Sequence, residues 1–124
     1  MKVLLSIKPE YAEKIFNGEK IYEYRRSIFK RKDIDTVVVY STKPEGKIVG
    51  EFLIDQIITE EIESLWEKTE SHSGISYDFF RSYFHDKEKG FAIKIKKTTK
   101  YEKPLSPYDF DENFRAPQSF CYIN

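Results

Sequence analysis

Apolar and polar positions change their period several times along this chain, and each change marks an element. Val3 to Ile7 is a short, β-rich apolar run that predicts a first strand. Pro9 suits the first turn of a helix, where its missing N–H costs nothing. Behind it Ala12, Ile15 and Phe16 recur at helical spacing, with Tyr11 beside Ile15. Asn17-Gly18 stops that helix, because glycine takes the left-handed conformation readily. Ile21 to Arg26 predicts a second strand. Alternation then places Ile21, Glu23 and Arg25 on one face and Tyr22, Tyr24 and Arg26 on the other. Ser27 to Asp35 reads as a loop anchored by Ile28-Phe29. Thr36 to Ser41 is an unbroken, mostly β-branched run and predicts a strand covered on both sides. After the turn Lys43-Pro44-Glu45-Gly46, Lys47 to Ile58 predicts a long strand. Gly50 within it marks a bulge or a close approach by something else, a ligand or a neighbouring strand.

The second half alternates less regularly. Ile62, Leu65, Trp66 and Thr69 line one face of a short helix, with acids at its start where they suit the helix dipole. Ser71-His72-Ser73-Gly74 breaks it, and Ser76 can cap a further helix carrying Tyr77, Phe79, Phe80, Tyr83 and Phe84. On that helix Phe80 and Phe84 are expected in the core, leaving Tyr77 or Tyr83 as a surface platform. Phe91, Ile93 and Ile95 alternate with Ala92, Lys94 and Lys96, the pattern of a half-buried strand, and Lys97 and Lys100 extend its polar side. Pro104 to Pro107 reads as loop, Tyr108 to Phe114 as one helical turn, and Ser119 to Ile123 as a last strand. Strands outnumber helices, and the helices interrupt rather than alternate. The fold class is therefore α+β, a barrel-like sheet with inserted helices rather than a doubly wound parallel sheet.

Composition narrows the function classes. At 124 residues the chain is sized for one domain with a core of its own, and residues 1–124 are taken as a single domain. Twenty-one basic and 21 acidic residues cancel, so no global field points to nucleic acid or membrane. Charge is nevertheless uneven. Arg25, Arg26, Lys30, Arg31 and Lys32 form an acid-free stretch, and Glu60, Glu61, Glu63, Glu67 and Glu70 crowd one helix; either run could be only a solvated face. Cys121 is the only cysteine, which fits a reducing compartment, and no apolar run approaches a signal peptide or a membrane span, so a cytoplasmic location is expected. His72 and His85 are isolated, and no Cys or His cluster has zinc spacing, so neither a metal nor any other cofactor is expected.

The chemistry concentrates in Gly18-Glu19-Lys20-Ile21-Tyr22-Glu23-Tyr24-Arg25. A carboxylate and a guanidinium two residues apart on one strand face can pair, with Lys20 leaning in from the strand entrance. Placed inside, such a cluster is either a structural ion network or a site. The pattern Gly18-x-Lys20-x-x-Glu23-x-Arg25 resembles the signature of the ASCH domain (activating-signal-cointegrator homology), a branch of the PUA-like pseudo-barrels. Ser6 to Ile15 before it, Val38 to Thr42 after it and Lys47 to Phe52 beyond follow the family in the same order. The resemblance covers roughly residues 3 to 58 well. It implies a mixed β pseudo-barrel of about five to seven strands with flanking and inserted short helices, the first helix beside a ligand cleft that uses the motif.

The leading expectation is a module binding RNA, or a nucleotide or modified base. Its cleft would be lined by Lys8, Tyr11, Lys20, Glu23, Arg25, Tyr40 and Ser41. Arg26 to Lys32 would follow the phosphates, and Lys94 with Lys96 would make a second patch. The first alternative is a hydrolase in which Lys20 and Glu23 are the catalytic candidates. The resemblance carries two such activities, an amidohydrolase acting on acetylated cytidine and RNA cleavage. The amidohydrolase pattern places a threonine nucleophile where this chain has Glu23, so that activity is not carried over. Lys, Glu and Arg can support acid–base work on a phosphodiester. The second alternative is a protein-interaction adaptor in transcription regulation, using the acidic Glu60 to Glu70 helix. Glu23, flanked by two cations, is expected to be ionised. The oligomeric state is not legible.

Overall fold

The computed structural model describes residues 1–109, 111–118 and 120–123. The unbroken apolar run at its centre forms β3 (Thr36–Ser41), all six residues of which are buried. Around it lie β1 (Lys2–Ile7), which pairs with it in parallel, and β4 (Lys47–Glu61), which pairs antiparallel. β5 (Lys89–Leu105) runs along β4, and β2 (Tyr22–Arg25) pairs antiparallel with residues 91–94 of β5. β6 (Phe120–Ile123) pairs antiparallel with β1. The result is one mixed six-stranded sheet in the order β2-β5-β4-β3-β1-β6. Three short helices, α1 (Pro9–Phe16), α2 (Ile62–Thr69) and α3 (Tyr77–Tyr83), interrupt it, as the sequence pattern predicts. No helix among the described residues is long and apolar enough to cross a membrane.

Both faces of the sheet are used. Val3, Leu5, Ile7, Val37, Val39, Val49 and Phe52 pack with Ala12 and Ile15 of α1 and with Ile93 in the main core. On the opposite face Leu4, Val38, Tyr40 and Ile48 pack with Tyr101, Phe114 and Cys121. A third cluster joins Tyr22 and Tyr24 of β2 and Ala92 of β5 to Ile62 and Leu65 of α2 and to Phe80 and Phe84 at α3. Each fully buried aliphatic or phenyl side chain removes enough apolar area from water to contribute about 1.5–3 kcal/mol.

The long strands depart from the sequence reading. β4 continues past Ile58 to Glu61, and β5 takes in Pro104-Leu105, which the pattern gives to a loop. Pairing from Glu61–Lys89 to Ile48–Leu105 keeps both backbones extended. Pro104 is tolerated because it falls in the irregular stretch of β5 between Lys100 and Leu105, where the register with β4 shifts and the regular ladder is interrupted. Bulges between Ile48 and Gly50 and around Ile54 bend the pair. Ala92 and Ile93 are both fully buried, where a half-buried strand was expected, because β5 lies between the main core and the α2/α3 cluster at that point. In the stretch read as a helical turn the structure has a 3-10 turn at Pro107–Asp109; Phe110, in that stretch, and Ser119, read as the start of the last strand, lie outside the described residues.

Gly50 stands opposite Val39 on one side and Lys100 on the other. A Cβ at this position would lie 2.6 Å from both the Thr99 carbonyl oxygen and the Phe16 ring. The close approach expected there is real, but it is made by a neighbouring strand and α1, and Gly50 does not border the cleft described next.

Candidate functional site

Among the described residues β2 has a strand partner on its β5 side alone, and β1 continues past β6 by two residues. The outer edge of β2 and the end of β1 face each other across a gap in the sheet. Arg25 Nη1 reaches across it to the Ser6 carbonyl oxygen at 3.5 Å. The gap opens into a cavity of about 280 Å³ lined by Ser6 and Ile7 from β1, Lys8 at the start of α1, Tyr11 from α1, Glu23, Tyr24 and Arg25 from β2, and Lys20, Ile75, Phe79, Tyr83 and Gln118.

The ion pair that strand alternation allows is present. Arg25 Nη1 donates to Glu23 Oε2 at 3.2 Å, and both side chains are about nine-tenths buried. Their shared face and the strand register behind it follow directly from the period of two.

Lys20 is 3% exposed and is held more tightly than sequence alone suggests. Its Nζ donates to the Ser73 carbonyl oxygen at 2.6 Å and lies 4.7 Å from the centre of the Tyr24 ring and 5.8 Å from that of Tyr11. Two aromatic faces favour the cation. Burial acts against it and brings its pKa down from the usual lysine value to about 8, a drop that Glu23 opposes and Lys14 adds to. The same burial pushes Tyr24 up to about 12 and raises Tyr11 and Tyr83. The cavity therefore holds an amine able to exchange its proton near neutral pH beside phenols that keep theirs.

The loop after α2 supports this arrangement. The Ile21 amide donates to the His72 carbonyl, and Lys14 Nζ donates to the Gly74 carbonyl at 3.0 Å. Gly74 has φ +73°, and a Cβ there would stand 2.7–2.9 Å from the Lys20 side-chain carbons. Only glycine lets the loop turn left-handed and lie flat against that stem. In sequence Ser73-Gly74 is a helix break, and nothing in a linear pattern shows that the break leans on a lysine more than fifty positions earlier.

Of the sequence-predicted residues, Lys8, Tyr11, Lys20, Glu23 and Arg25 meet in this cavity, whereas Tyr40, Ser41 and Arg26 do not line it. Tyr40 is turned to the opposite sheet face with Leu4 and Val38, its ring 5.1 Å from that of Phe114. Ser41 shares a face with Val37 and Val39 but is fully buried, and its hydroxyl finds no partner among the described residues. Arg26 points to the α3 side and binds the Tyr83 and His85 carbonyls and Asp86. Arg31 pairs with Asp33 and Lys94 with Asp55, while Lys30, Lys32 and Lys96 are exposed. The aromatic that reaches the cavity beside Tyr83 is Phe79; Tyr77 instead packs on Trp66 and donates to Glu63. Tyr24, Ser6 and Gln118 also line the cavity without having been foreseen. Among the described residues no group of three or more His, Cys, Asp or Glu side chains could hold a metal ion.

The ASCH domain model matches residues 5–99. The chain belongs to the ASCH domain family. This ASCH chain is 26% identical over 128 residues to an ASCH domain-containing ribonuclease from Zymomonas mobilis subsp. mobilis, with 98% of this chain and 84% of that protein covered. It is 30% identical over 125 residues to a large ribosomal subunit protein uL22 from Ureaplasma parvum serovar 3, but spans only 39% of that protein's length. The crystal structure of ASCH from Zymomonas mobilis matches the ASCH chain with a TM-score of 0.92 at 25% identity, covering 99% of this chain and 87% of that one. The mixed sheet and short helices are thus the PUA-like α+β fold of the family.

Proposed function

We propose that residues 1–124 act as one ASCH/PUA-like domain whose cleft binds RNA and cleaves it by acid–base chemistry of its own side chains. The observation that carries this reading is Lys20, a nearly fully buried amine titrating near pH 8 in a cavity shared with Arg25 and Glu23. Similarity to a protein described as an ASCH domain-containing ribonuclease supports it. In the proposed step the ribose 2′-oxygen attacks the adjacent phosphorus and passes its proton to Glu23. The bond from phosphorus to the 5′-oxygen breaks, and that oxygen takes a proton from the Lys20 ammonium. The products are a 2′,3′-cyclic phosphate and a 5′-hydroxyl. Arg25, oriented by Glu23, holds the phosphate oxygens. Acetylcytidine hydrolysis has less support, because the position of the threonine nucleophile is filled by a carboxylate engaged by Arg25. The lone Cys121 fits a reducing compartment, and we place the activity in the cytoplasm.

The test is turnover of a labelled single-stranded RNA by wild-type protein and by Lys20→Ala, each with and without EDTA. Cleavage to cyclic phosphate ends is expected in wild type regardless of EDTA, and a loss of at least about a hundredfold in the variant, within the range that a general acid supplies. Wild-type binding without cleavage would leave the RNA-binding module standing and remove the nuclease. Cleavage that survives Lys20→Ala would remove Lys20 from the chemistry.

A further inference from the structure

Two kinds of side chain line the cavity: the charged Lys20, Glu23 and Arg25, and the rings of Tyr11, Phe79 and Tyr83. Phe79 is the least occupied of these rings. It is 37% exposed, whereas Tyr83 is half-buried and spends its hydroxyl on the Tyr24 carbonyl. Phe79 is also firmly placed. Its backbone N–H donates to Ser76 Oγ, the N-cap of α3, while Phe80, next on the helix, is anchored in the core against Tyr24 and Trp66. Around its ring, Tyr11 packs at 5.6 Å, Tyr83 lies near-parallel at 6.5 Å, and Lys8 Nζ sits 6.0 Å from its centre.

Aromatic rings and the cations Lys20 and Arg25 lining one cavity of about 280 Å³ match a ligand with an aromatic end and an anionic end. We infer that Phe79 is the platform on which one unpaired nucleobase stacks while its phosphate lies against Arg25 and Lys20, so that the cleft selects unpaired nucleotides rather than a sequence. The inference rests on the RNA reading above and names the form of RNA that the site takes. Stacking is tolerant of base identity because every base has a π face. A base inside a duplex has its faces covered by neighbours and would have to be extruded first. Lys8, above the Phe79 ring, supplies a cation for a flanking phosphate.

The experiment is fluorescence anisotropy at low salt with a labelled short oligouridine carrying 2′-fluoro riboses, which 2′-oxygen attack cannot cleave. A strand of the same length with abasic residues and a duplex of the same length are compared with it. Wild-type protein is expected to bind the intact strand about tenfold more tightly than the abasic strand or the duplex. Phe79→Ala and Phe79→Leu should bind intact and abasic strands alike, and Phe79→Trp should keep the preference. Leucine retains apolar bulk without the π face, so it separates loss of stacking from loss of packing. Full preference retained in Phe79→Ala, or a duplex bound as tightly as the single strand, would overturn the inference and leave the RNA reading intact. No binding of any strand by wild type would overturn both.

Discussion

At the scale of single residues, Lys20 has consequences that can be measured without any substrate. Its folded pKa of about 8 lies below the ordinary 10.5, so the unfolded chain binds a proton that the folded chain has lost between those values. Stability contributed by this group therefore rises with pH from about 8 toward 10.5 and is lost as pH falls back through 8, with a slope approaching about 1.4 kcal/mol per pH unit. Cys121 and the raised tyrosines work in the opposite sense, because they keep their protons in the folded state above pH 9 and pH 10 respectively. The comparison is urea unfolding of wild type and Lys20→Met at intervals from pH 7.5 to 9.5. The wild-type curve should climb relative to the variant, most steeply between about pH 8.5 and 9.5. Parallel curves would show that Lys20 titrates at its ordinary value. In the proposed reaction the same proton sets the rate, so cleavage should fall as pH passes 8.

At the scale of elements, the bent β4–β5 pair fixes the barrel, and Gly50 is where it has no room. Gly50→Val would place side-chain atoms against the Thr99 carbonyl and the Phe16 ring, forcing either β5 or α1 to shift. The expected loss is about 1–3 kcal/mol of stability, read as a lower melting temperature. Because Gly50 does not line the cleft, the folded variant should bind RNA with unchanged affinity. Weakened binding with an unchanged melting temperature would place this position in the site rather than in the frame. The contrast with Gly74 is instructive: one glycine admits a neighbouring strand and a ring, while the other admits the stem of the functional lysine.

At the scale of the whole molecule, charge is balanced, and Arg26, Arg31 and Lys94 are each paired with a nearby acid. Affinity should then rest on the few cations at the cleft, Lys8, Lys20 and Arg25. Each phosphate contacted on a single strand contributes about −0.7 to the slope of log affinity against log salt, so a slope of about −2 is expected. Anisotropy titrations at several salt concentrations measure it. A slope steeper than about −4 would mean that the exposed lysines of the Arg26 to Lys32 stretch also track the backbone.

The sequence by itself determined the order and type of the elements, because periods of 2.0 and 3.6 are local properties. It also determined that Glu23 and Arg25 would share a face, since strand alternation admits no other arrangement. The family signature around Gly18, Lys20, Glu23 and Arg25 was legible for the same reason: its spacing lies within one turn and one strand. Tertiary structure decided which residues from distant parts of the chain meet there. Tyr40 looked suited to a strand-end site, but packing against Phe114 holds it on the far face of the sheet. Phe79 reads in sequence only as one aromatic residue of a helix, and Ser73-Gly74 only as a helix break. They reach the cleft because α3 is anchored by Phe80, and because the preceding loop hydrogen-bonds back to Lys14, Lys20 and Ile21. Lys20 reads in sequence as an ordinary cation, and only its enclosure by that loop and two aromatic rings lowers its pKa toward neutrality. Desolvation depends on everything packed around a group, and that sum is settled when the chain folds.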